Sequence, residues 1–158
     1  MTASYEYIEV KSFFYDLNKD DIQSILALGT QVNYKADTKI VSEGESAEYF
    51  YIISSGRVEI SQGFNQSRLA ILFEGDIFGE MAILNNSDRT ASVTTLEPTS
   101  CYLVPKDRFL NLIQTNLRFT YFLIERVSAR LYHTTNKVLW DESPLIKDIL
   151  EKLQLASN

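Results

Sequence analysis

The chain has 158 residues, enough for one domain whose core needs no covalent staples. Its 45% apolar and 12% aromatic content is that of an ordinary globule, and a net charge of −6 disfavours broad binding of nucleic-acid backbone. An anion could still be held, but only by a local positive site.

The opening residues, Met1 to Glu6, lack the basic-then-apolar order of a signal peptide. No run approaches the roughly 18 apolar residues of a membrane span. A single cysteine, Cys101, excludes an intrachain disulfide. It stands in the apolar run Cys101-Tyr102-Leu103-Val104 and reads as a buried, inert thiol. A reducing cytoplasm is the expected setting.

Asn18 is placed as a helix N-cap, with Asp20 and Asp21 in the first turn and Leu17 and Ile22 spaced as a hydrophobic staple. This helix should run to Leu28 and stop at Gly29, closing a helical segment over 1–29.

From 30 to 105 the chain reads as short strands separated by turn residues. Lys39-Ile40-Val41 ends at Glu43-Gly44, and the continuous apolar run Tyr49–Ile53 ends at Ser54-Ser55-Gly56. Val58 and Ile60 alternate with polar residues, as do Leu69, Ile71 and Phe73, with Gly63–Ser67 as a hairpin loop between them. After Gly75, a further strand pair is expected over Thr90–Leu96 and Ser100–Val104, turning at Glu97-Pro98-Thr99. Many short strands at this spacing indicate a sandwich or barrel.

The period changes after Pro105. Lys106–Ile113 is a short helix. Then Leu117, Thr120, Ile124, Val127, Leu131, Thr134 and Val138 alternate steps of three and four, a heptad seam on a helix of about six turns. The seam points to a homodimer through helix 117–139; a helix lying on its own barrel would give a similar stripe. Ser143-Pro144 opens a last short helix, Leu145–Leu153, so helices fill 106–153 and the whole of 1–158 reads as a single domain.

The chemistry is concentrated in Phe78-Gly79-Glu80-Met81-Ala82-Ile83-Leu84, followed by Arg89-Thr90-Ala91-Ser92-Val93. Gly79 permits positive φ and a close backbone approach. A helical turn from Glu80 would aim the N–H groups of Met81 and Ala82 at an anion, and the small Ala82 leaves room for it. Arg89 offers a planar, permanently charged fork for phosphate oxygens, and Thr90 a hydroxyl beside it. Glu80 cannot favour a phosphate; as an acceptor it suits a ribose 2′-hydroxyl. The plainer alternative is a structural Glu80–Arg89 ion pair in a chain that binds nothing.

This stretch resembles the phosphate-binding cassette of the cyclic-nucleotide-binding family, seen in kinase regulatory subunits, gated channels and the catabolite activator protein. The nine-residue step from Glu80 to Arg89 is the kinase and channel spacing, and Gly44, Gly56 and Gly75 stand where the family has turn glycines. Asp88 departs from it, since many members carry proline there. The resemblance covers roughly Phe13 to Val138. It implies a mainly β fold, an eight-stranded jelly-roll β-barrel with an N-terminal helix and a long C-terminal helix. It also implies a sensor of cAMP with no catalytic or metal site and no cofactor, binding phosphate and ribose through Gly79, Glu80, Met81, Ala82, Arg89 and Thr90. Leu69, Arg130, Thr134 and Thr135 are its expected base and lid contacts; the two threonines match the adenine-contacting helix of the catabolite activator.

Thr90 is also what cGMP-selective members use, so a cGMP-binding module is one alternative and a ligand-free scaffold another. One histidine, His133, is too few for a cupin-like metal enzyme. Some twenty residues after Val138 are too few for a helix-turn-helix unit, so direct nucleic-acid binding is not expected. Two arrangements are expected: a small adaptor-like protein, or the sensory part of a longer protein that carries the output domain.

Overall fold

A computed structural model describes the backbone of residues 12–142 and side chains to residue 131. Two short helices come first, α1 (Phe13–Asp16) and α2 (Lys19–Leu26). The Asn18 side chain accepts a hydrogen bond from the Asp21 N–H at 2.8 Å, so the cap stands where expected. The helix ends at Leu26, two residues early, and Gly29 is not a left-handed stop. A Cβ at Gly29 would lie 2.8 Å from the Leu103 carbonyl oxygen. The glycine serves close packing against a strand rather than helix termination.

Eight strands follow: β1 (Thr30–Tyr34), β2 (Lys39–Val41), β3 (Tyr49–Ser55), β4 (Arg57–Gln62), β5 (Ser67–Phe73), β6 (Ile77–Phe78), β7 (Ser92–Thr95) and β8 (Thr99–Pro105). Helix α3 (Glu80–Leu84) interrupts them after β6, and α4 (Lys106–Thr115) and α5 (Leu117–Glu142) close the described chain. The strands form two four-stranded antiparallel sheets, ordered β1-β8-β3-β6 and β2-β7-β4-β5. This is a jelly roll built as two facing sheets, not a closed barrel. The expected pairing of Thr90–Leu96 with Ser100–Val104 is not formed. β7 pairs with β2 and β4, whereas β8 pairs with β1 and β3, so the turn between them crosses from sheet to sheet. The Thr99 hydroxyl fixes that crossing by donating to the Glu97 carbonyl at 2.8 Å.

Between the sheets, Val41, Val58, Leu72 and Val93 meet Tyr51, Ile53, Phe78 and Cys101. Burial pushes the Cys101 thiol up to about 12. The other face of β3 is also covered: Phe50 stacks on Phe109 of α4 at 4.6 Å and meets Phe119 of α5 at 5.9 Å. Burial on both faces explains why Phe50–Ile53 is continuously apolar rather than alternating, while Tyr49 at the head of the run is exposed. The described residues fall into two compact units, one ending at Phe122 and one beginning at Leu123. Among them, no helix is long and apolar enough to cross a membrane.

Candidate functional site

Gly79 closes β6 and starts α3 in the left-handed conformation, φ 85° and ψ 1°. No side chain caps α3, so its first-turn N–H groups carry the partial positive charge of an open helix start. Glycine is required twice over. The φ disfavours a side chain, and a Cβ would fall 2.8 Å from Arg89 Nη1 and 3.1 Å from Tyr51 Cδ2.

Arg89 comes ten residues later, yet its guanidinium returns to this glycine. Nη1 donates to the Gly79 carbonyl at 2.8 Å and Nη2 to the Tyr49 carbonyl at 2.6 Å. Its backbone is held as well: the Arg89 N–H donates to the Glu45 carbonyl, and the Gly44 N–H donates to the Arg89 carbonyl, both at 2.8 Å. The loop between β2 and β3 therefore helps to hold Arg89 in place. The guanidinium carbon stands 5.7 Å from the centre of the Tyr51 ring. Arg89 is buried, and burial pushes its guanidinium below its ordinary value, against the pull of Tyr51, Glu80, Glu45 and Glu48.

A cavity of about 340 Å³ opens beside it, lined by Val41, Glu45, Ser46, Glu48, Tyr49, Tyr51 and Arg89. The Ser46 hydroxyl donates to the Glu48 carboxylate at 3.0 Å. A buried cation on the wall of a cavity, next to an open helix start, can hold an anion by charge-assisted hydrogen bonds. Among the described residues, no cluster of histidine, cysteine and carboxylate could hold a metal.

Residues 31–116 match the family described as Cyclic nucleotide-binding domain. The chain belongs to that family. Its cyclic nucleotide-binding domain is 40% identical over 87 residues to a cAMP-dependent protein kinase regulatory subunit of Debaryomyces hansenii, covering 55% of this chain and 19% of that protein. It is 42% identical over 82 residues to a cGMP-dependent protein kinase of Plasmodium berghei, covering 51% of this chain and 9% of the kinase. The chain thus spans less than a fifth of either relative. Its fold is that of the Thermus thermophilus catabolite activator protein, with a TM-score of 0.70 at 23% identity over 80% of this chain and 61% of that one.

Within this cyclic nucleotide-binding domain, Gly79, Glu80 and Arg89 come together at the start of α3. Glu80 and Ala82 are buried, while Met81 and Thr90 are exposed. The Thr90 carbonyl accepts from Gln62 Nε2 at 2.8 Å. Leu69 is exposed on β5, and Asp88 is exposed beside Arg89. Arg130 is half-buried on α5, in the unit that begins at Leu123. Thr134 and Thr135 are on the same helix, but their side chains lie outside the described residues, as does the expected helix Leu145–Leu153. The residues missed from sequence are Tyr49, Tyr51, Glu45, Ser46 and Glu48. The tyrosines were hidden in an apolar run, and nothing local in the loop singles out its carboxylates.

Proposed function

We propose that this chain is a cAMP-preferring sensor that works without catalysis of its own. The observation that carries the reading is the buried Arg89 guanidinium, held by the Gly79 and Tyr49 carbonyls on the wall of a cavity, beside the start of α3. A cyclic phosphate would take the remaining N–H groups of Arg89, the first-turn N–H groups of α3 and the Thr90 hydroxyl. Glu80 would accept from the ribose 2′-hydroxyl, and Leu69, Arg130, Thr134 and Thr135 would meet the base. Two relatives at similar identity are named for different nucleotides, so the preference for cAMP rests on the paired threonines of α5.

Signalling follows from differential binding: the ligand favours the pose of α5 that brings its contacts over the site. A coupling of about 1–3 kcal/mol is typical and sufficient. The sensor is read as a cytoplasmic homodimer through α5, serving an output carried elsewhere in a longer protein. Calorimetric titration with cAMP and cGMP tests the reading; it predicts binding of both with cAMP tighter, and heat from neither would sink it.

A further inference from the structure

Resting on the reading that Arg89 meets the ligand's phosphate, we propose that Tyr51 is the positioning residue that holds the Arg89 guanidinium ready for it. The Gly79 carbonyl, the Tyr49 carbonyl and the face of the Tyr51 ring, 5.7 Å from the guanidinium carbon, hold that group in place. The carbonyls constrain two of five N–H directions. The ring supplies a plane for the fork to rest against and an electron-rich face for its charge.

Tyr51 is itself immobile enough to serve. Its ring stacks on Phe78 at 4.5 Å with 6° between planes, and Tyr49 packs edge-on at 6.4 Å. The strand register fixes this stack, because Tyr51 on β3 pairs with Phe78 on β6. Phe78 is the residue before Gly79, so one stack joins the start of the cassette to the resting place of its arginine. Gly79 completes the corner: a Cβ there would meet both Arg89 Nη1 and Tyr51 Cδ2, so the three residues share one contact point.

The need for such a holder comes from the cavity. Glu45 and Glu48 line it with Arg89, and each would draw a freely rotating guanidinium away from an incoming anion. A side chain as long as arginine also loses much rotamer freedom on binding unless it is already ordered. The Tyr51 face answers both demands without neutralising the charge.

The test is cyclic-nucleotide affinity by calorimetry, with melting temperature measured alongside. Tyr51→Leu should weaken binding by about threefold to thirtyfold, the range of a cation–π contact of intermediate burial. Tyr51→Phe, which keeps the face, should restore affinity to near that of the native chain. Progressive fluorination of a phenylalanine at position 51 should lower affinity stepwise without a matching trend in melting temperature, which a purely structural role would not produce. In an Arg89→Gln background, Tyr51→Leu should add little. Unchanged affinity in Tyr51→Leu, a flat fluorination series, or an equal loss in both backgrounds overturns the role of Tyr51 while leaving the functional reading intact. Failure of the native chain to bind either nucleotide overturns both.

Discussion

The partners of Arg89 decide what it can do. Two carbonyl dipoles and a ring hold the guanidinium in place, with the Glu80, Glu45 and Glu48 carboxylates acting on its charge. A buried charge in that condition gains strongly from an anion, because desolvation has already been met by folding. Arg89→Ala should therefore cost about 2–5 kcal/mol of nucleotide affinity, read by calorimetry, and unchanged affinity would remove Arg89 from the site. Gly79→Ala should lower unfolding free energy by about 1–2 kcal/mol, since a side chain is forced into left-handed backbone. It should also weaken binding, because its Cβ falls on Arg89 Nη1. Urea denaturation and titration check the two effects, and a stable, tightly binding Gly79→Ala protein would contradict the close packing at this corner.

At the scale of elements, α2 and the start of α5 are joined through one carboxylate. Arg118 Nε donates to Asp21 Oδ2 at 2.5 Å, and Asn116 Nδ2 donates to Asp21 Oδ1 at 3.1 Å. The Arg118 hydrogen bond, opposed by burial and helped by Asn116, holds the Asp21 carboxyl below its ordinary value of 3.8. The unfolded chain then takes up this proton before the folded one. The contribution is whole above about 3.8 and fades as pH falls through the lowered folded value. Asp21→Asn should melt lower at neutral pH and lose stability less steeply toward acid; an acid limb as steep as the native one would dismiss the joint. On α5, the Thr120 hydroxyl donates to the Ile113 carbonyl at 2.6 Å and to the Asn116 carbonyl at 3.0 Å. A seam threonine can thus satisfy itself on its own chain. Thr134→Val separates that behaviour from base recognition: base contact predicts a selective loss of cAMP over cGMP, whereas an equal loss would place base reading elsewhere.

For the whole molecule, α5 presents Leu117, Ile124 and Leu131, seven residues apart and 80%, 56% and 62% exposed. Apolar residues at that spacing on an exposed face suit a second copy of the same helix. Sedimentation of the native chain should show a dimer, and Ile124→Glu with Leu131→Glu should shift it to monomer; a native monomer at high concentration would refute the seam. What the sequence alone determined was whatever rests on short spacing: the Asn18 cap, the bounds of β2, the change from strand to helix period at Pro105, and the left-handed glycine that starts α3. Each is read within a few turns or residues, where backbone geometry fixes the signal. Only the tertiary structure decided which sheet receives β7 and β8, why Gly29 must be small, and that Tyr51 and the Tyr49 carbonyl flank Arg89. It likewise decided that Asp21 meets Arg118 across 97 residues of chain. These are contacts between strands and helices distant in sequence, and the order of strands in the two sheets, not any local pattern, brings them together.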